Sequence, residues 1–171
     1  ACVRDWTDAE RRRAGDAVRS LVPALAGYVH RLPAFTWLVR TTGQEEGGCG
    51  YTRGTAIVLP PQKIAYPGDA LAAFIAHELF HVITHRDPAL RDDLYATIVY
   101  RPCGEATVPS ALSGSTITNP DAPVNAHYVR AIANGVECAL MPLPLWQESG
   151  SLSERRYVDS VVIRMLAIHH G

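Results

Sequence analysis

The chain has 171 residues, with 16 Lys and Arg against 17 Asp and Glu, a net charge of -1 and a pI near 6.7. Its length predicts one domain over residues 1–171, with truncation at either end left open. Near-neutral charge without a basic stripe lacks the footprint of a nucleic-acid binder. A composition 47% hydrophobic and 19% charged points to a globular core rather than disorder. No apolar run reaches the ~18 residues needed to span a bilayer. The four cysteines, Cys2, Cys49, Cys103 and Cys138, form no CxxC pair, which argues against a zinc knuckle. They permit two disulfides in three pairings or, equally, four buried thiols. With Ala1 in place of an initial Met, the disulfide reading predicts a secreted or periplasmic protein, the thiol reading a cytoplasmic one.

In chain order, Asp8 to His30 has helical spacing, with Ala14, Val18, Leu21, Val22, Leu25 and Val29 on one side and Pro23 as a kink. Phe35 to Thr42 is β-branched and aromatic and reads as a strand. Gly43 to Gly50 turns the chain; its Gly47-Gly48-Cys49-Gly50 run lacks the spacing of a phosphate loop. Tyr51 to Leu59 reads as a second strand ended by Pro60-Pro61. Asp69 caps a helix running to about Arg86, and Asp87-Pro88 starts another to about Val99. From Arg101 to Pro123 no period is visible, and a long surface loop is expected. His127 to Pro142 reads as two strands meeting at Asn134-Gly135. Ser153 to His169, with Tyr157, Val161, Val162, Met165 and Leu166, returns to helical spacing, capped by Ser151 or Ser153. Phe35, Trp37 and Trp146 are expected as core anchors.

One segment carries chemistry: Phe74-Ile75-Ala76-His77-Glu78-Leu79-Phe80-His81-Val82-Ile83 holds HExxH within the predicted helix. Residues i and i+4 lie one turn apart on the same face, so His77 and His81 can bind one Zn²⁺. Glu78, about 100° around, can take the proton of a water that zinc acidifies without binding the metal. At this composition a chance HExxH has odds of about one in a hundred. The neighbouring positions are apolar nearly all round, predicting a buried helix in which the polar groups need partners. Core histidines bonded to other protein groups are the alternative.

By these residues the chain resembles the HExxH zinc metallopeptidases, the zincins, over the helix Asp69–Arg86 and the preceding strand Tyr51–Leu59. The resemblance implies an α+β fold: a mixed sheet packed on helices, with the HExxH helix under an edge strand that accepts an extended substrate. It also implies Zn²⁺ as cofactor and a peptide or protein substrate. The metzincin pattern is not met, because Thr84 stands where Gly is required and Asp87 where the third histidine belongs. His85 lies a turn too far for the same metal and is expected near the helix end, where a cation is favoured.

The third ligand stays open. Glu105, 24 positions after His81, suits the gluzincin group, although it follows a Pro-Cys-Gly break. Asp121 would be the aspzincin choice without that group's motif, and His127 is a further candidate, followed by Glu137, Glu154, Asp159 or a ligand beyond Gly171. The segment Thr116 to Tyr128, with its Asn-Pro-Asp-Ala-Pro run, resembles a loop that accompanies HELFH helices in uncharacterised bacterial zincin-like proteins. That likeness implies a cleft-lining loop in which His127 or Tyr128 donates to the oxyanion. An ordinary Asn-, Asp- and Pro-rich turn explains the same residues, and Tyr157 is a weaker oxyanion candidate.

Two function classes follow. The first is a zinc-dependent hydrolase, a metallopeptidase with His77 and His81 as ligands and Glu78 as general base. The second is a zincin-like scaffold without catalysis, acting in binding or assembly; the presence of Glu78 favours the first. A metal enzyme of non-peptidase type is a third reading, since HExxH does not specify the bond broken.

Overall fold

The computed structural model describes residues 2–45, 48–117, 124–133, 135–147 and 161–168. It is an α+β protein with two sheets, divided into two compact units, Ala1–Arg86 and Asp87–Gly171. No helix among the described residues is long and apolar enough to cross a membrane.

The first unit opens with helix α1 (Asp8–Leu25), followed by a 3-10 helix (Ala26–Arg31). Its start is a capping box in which the Glu10 amide donates to Thr7 Oγ1 at 3.2 Å. In return the Thr7 amide donates to Glu10 Oε2 at 2.9 Å. Glu10 also accepts from Arg40 Nε at 2.9 Å, which ties the helix to strand β1 (Trp37–Arg40). The strand is shorter than Phe35 to Thr42. Phe35 and Trp37 stack edge to face 5.5 Å apart, yet both are about 60% exposed, so neither anchors the core.

The expected strand Tyr51–Leu59 is instead a hairpin, β2 (Tyr51–Arg53) and β3 (Ala56–Leu59), turned at Gly54 with φ 59°. Residues that favour strands on both sides concealed this turn, which needs only one left-handed glycine. The sheet order is β1-β3-β2, with β1 parallel and β2 antiparallel to the central β3. After the short helix α2 (Pro61–Ile64) comes α3 (Gly68–Arg86), which contains HExxH. Asp69 lies in its first turn rather than ahead of it, and accepts from the Ala70 amide. Ala17, Ile57, Leu59, Ile64, Leu71, Ile75 and Val82 form the core between α1, the sheet and α3. Just before β2, a Cβ on Gly50 would lie 2.3 Å from Phe74 Cζ, so a larger residue there would require the Phe74 ring to move.

The second unit begins with α4 (Pro88–Thr97), capped by Asp87, whose side chain accepts from the Leu90 amide. The expected loop from Arg101 to Pro123 contains structure: its first residues belong to β4 (Tyr100–Pro102), and α5 (Ser110–Ser113) lies within it. A hairpin of β5 (His127–Ala133) and β6 (Val136–Trp146) turns at Gly135, with φ 80°, as its sequence predicts; Asn134 lies outside the described residues. The predicted C-terminal helix is corrected to a strand, β7 (Val161–Ile168). Its Val161-Val162-Ile163 run suits a pleated surface, and short apolar runs satisfy both helical and strand periods. Ser151, Ser153 and Tyr157 lie outside the described residues.

The antiparallel order is β4-β5-β6-β7. Met141, Leu143 and Leu145 alternate into the buried face of β6. Pro142 and Pro144 have no N–H to offer, and the β5–β6 ladder stops at the pair Val129–Leu140. Beyond it the Ile117 amide donates to Pro144 O and the Trp146 amide to Ser115 O. Cys103 and Cys138 are free thiols that donate to nearby carbonyls, and Cys2 is exposed, so neither the paired nor the fully buried expectation describes them.

Val99, just past α4, has φ 64°, a conformation that costs an L-residue roughly 1–2 kcal/mol. Its side chain is 67% exposed, so little packing offsets that cost. Val99→Gly should therefore raise stability by about 0.5–1 kcal/mol, after the extra chain entropy of glycine. Thermal melting checks this, and an unchanged or lower Tm would contradict it.

Candidate metal centre

Helix geometry arranges the motif. In steps of about 100° per residue, Leu71, Ile75, Glu78 and Val82 fall within about 60° of one another. All four are buried, whereas Ala73 and His77 on the opposite side are exposed. The helix is thus two-faced, not buried all round as its composition implied. His81 projects between the two faces and is 8% exposed.

The His77 and His81 Nε2 atoms converge to 3.1 Å, with the rings edge to face at 88°. Two nitrogens each bound to one tetrahedral zinc must stand about 3.3 Å apart. The pair therefore fits a shared metal; without one, one nitrogen must carry a proton for the other to accept.

Glu78, 4% exposed, points toward the sheet. Thr52 Oγ1 lies 2.7 Å from Glu78 Oε2 and 3.1 Å from the Glu78 carbonyl. Thr52 stands opposite Ile57 in the β2–β3 ladder, so both side chains share the face turned to α3. The shorter contact marks the carboxylate as the main acceptor of the single hydroxyl hydrogen. Sequence reasoning missed Thr52; nothing in the run Tyr51–Leu59 distinguishes it from Thr55 as a partner for the HExxH helix.

The other candidates belong to the second unit. Glu105 is exposed in the segment between β4 and α5, where the next residue's amide donates to the Asn125 carbonyl. Glu137 is an exposed partner of Arg130 at 3.3 Å. Tyr128 and His127 are both buried on β5. Asp121, Glu154 and Asp159 lie outside the described residues. His85 is exposed in the last turn of α3. Among the described residues, no group of three or more His, Cys, Asp or Glu is assembled to hold a metal.

His127 Nε2 lies 3.0 Å from Asp92 Oδ1, a second partner that sequence reasoning missed. Arg91 Nη2 and Nε reach the same oxygen at 2.9 and 3.0 Å. Burial pushes the Asp92 carboxyl up, but hydrogen bonds from His127 and Arg91, with the Arg91 charge, outweigh it and hold the carboxyl below its ordinary 3.8. An ionised carboxylate only accepts, so Nε2 carries the hydrogen. The neutral ring then offers Nδ1 as an acceptor, and donation from Nδ1 requires the imidazolium.

A depressed carboxyl pKa contributes stability above the unfolded value, lost as pH falls through the folded value. Asp92→Asn, which has no such titration, should therefore lose less stability than the native chain from roughly pH 4 downward. Thermal melts across that range test this; identical acid profiles would contradict it.

Compared with known proteins, the chain matched no family model, no curated protein sequence and no solved structure.

Proposed function

We propose that the chain is a zinc-dependent hydrolase with a zincin-like fold, a metallopeptidase in which His77 and His81 hold the metal through Nε2. The observation that carries this reading is the 3.1 Å convergence of the two imidazoles, with the Glu78 carboxylate one residue along the same helix. Zinc bound there supplies a Lewis acid that lowers the pKa of water and polarises a carbonyl.

The chain's own residues do the rest. Thr52 holds Glu78 Oε2, so Oε1 is the oxygen available to take a proton from the attacking water and return it to the leaving amine. Strand β2 is an end strand of the described sheet, beside α3, and an extended peptide is proposed to add along it. Glu105 is the proposed third ligand, on its separation from His81 in sequence. A peptide or protein is the proposed substrate, and catalysis is favoured over a binding scaffold because Glu78 is both retained and supported by Thr52.

Elemental analysis of the purified chain should find about one zinc per chain, lost in His77→Ala. Glu78→Gln should keep the zinc and lower peptide cleavage by at least about a hundredfold, in line with general-base catalysis. Zinc retained without cleavage by the native chain would favour the scaffold reading; no zinc after reconstitution would overturn the proposed centre. Glu105→Ala should weaken zinc retention, and undiminished metal content would remove Glu105 from the ligand set.

Thr52→Val keeps the shape of the β2 side chain but removes the donor to Glu78. It should lower kcat by about tenfold with zinc content unchanged. An unaltered kcat would show that Thr52 does not position the base.

A further inference from the structure

The second unit holds a cavity of about 260 Å³ lined, among the described residues, by that unit's own residues. Its walls include Tyr95, Tyr100, Met141, Pro142 and Pro144, with His127 among them. An apolar cavity of about 150 Å³ accepts a benzene molecule, whereas drug-sized ligands occupy about 300 Å³ or more. The space therefore suits one six-membered ring with a few further atoms.

Its shape and polarity narrow the ligand. The Tyr95 ring stands edge-on to His127 at 4.9 Å and lies 5.9 Å from Tyr100, so three rings form an aromatic corner. Flat apolar rings pack well in such a corner, with the Met141 sulfur as a further soft contact. His127 is 8% exposed, and its Nε2 is committed to Asp92. Its Nδ1 makes no hydrogen bond among the described residues. A ring nitrogen bearing a lone pair can accept from a donor on whatever fills the cavity. The neighbouring charges cancel, because Arg91 and Asp92 are paired at 2.9 Å. A charged ligand gains nothing there.

We propose that this cavity is a binding site for a neutral single-ring aromatic molecule carrying one hydroxyl group, a phenol. The hydroxyl donates to His127 Nδ1, and the ring lies against Tyr95, Tyr100 and Met141.

The test is calorimetric titration of the full chain with p-cresol and with toluene, which shares the ring and methyl group but lacks the donor. p-Cresol should bind saturably and about tenfold or more tighter than toluene, the size expected for one buried hydrogen bond. His127→Phe should erase that preference while leaving toluene binding in place. Val124→Trp, placed at a 42%-exposed lining position, should fill the space and abolish binding of both. Circular dichroism confirms that each variant is folded. No saturable binding of p-cresol up to millimolar concentration would overturn the proposal. Equal affinity for the two probes in the native chain would overturn it too, without recourse to any variant. Unchanged p-cresol binding in folded Val124→Trp would place the ligand elsewhere and refute the site.

Discussion

A carboxylate on the core-facing stripe of a helix is the constraint around which the first unit is arranged. Glu78 occupies the same side of α3 as Leu71, Ile75 and Val82, where an unsatisfied charge would be severely penalised. Thr52 meets that demand from β2. The bond requires the edge strand to lie over the middle of α3, with its inward side chain in register with Ile57. Helix, strand and base are thus positioned by one contact. The two histidines inherit their placement from the same helix rotation, one exposed and one at the boundary.

The second unit solves a different problem, how to stop one ladder and begin another on a single strand. Pro142 and Pro144 carry no N–H, so β5 cannot continue along β6 past Leu140. The vacated edge receives residues 115–117, while the odd-numbered residues of β6 keep pairing with β7. That arrangement brings Ile117, His127 and the two prolines around one cavity. The histidine is oriented by Asp92 from α4, as buried imidazoles commonly are by a carboxylate.

The sequence disclosed what helical and turn chemistry write locally. The spacing of His77, Glu78 and His81 is a property of a single helix, so their convergence could be read before any tertiary structure. Gly135 marked its hairpin because left-handed turns prefer glycine. Tyr51–Leu59 misled, since Gly54 interrupts an otherwise regular strand pattern without Pro or Asn beside it. Val161–Ile168 misled because its eight residues, apolar but for Arg164, fit both periods, and its pairing with β6 is a non-local fact. Thr52 and Asp92 were illegible for the same reason: each acts on a residue 26 or 35 positions away, and nothing in its immediate neighbours announces it. Phe35 and Trp37 show the converse, large apolar residues whose exposure no composition rule anticipates.

Gly50 sets a tolerance. With Phe74 Cζ only 2.3 Å from the position of its missing Cβ, it acts as the thinnest possible spacer between strand and helix. A larger residue would first have to displace the Phe74 ring, a side chain packed against the core of the first unit. Two residues before Thr52 and with no side chain of its own, this glycine reserves the space that the ring occupies.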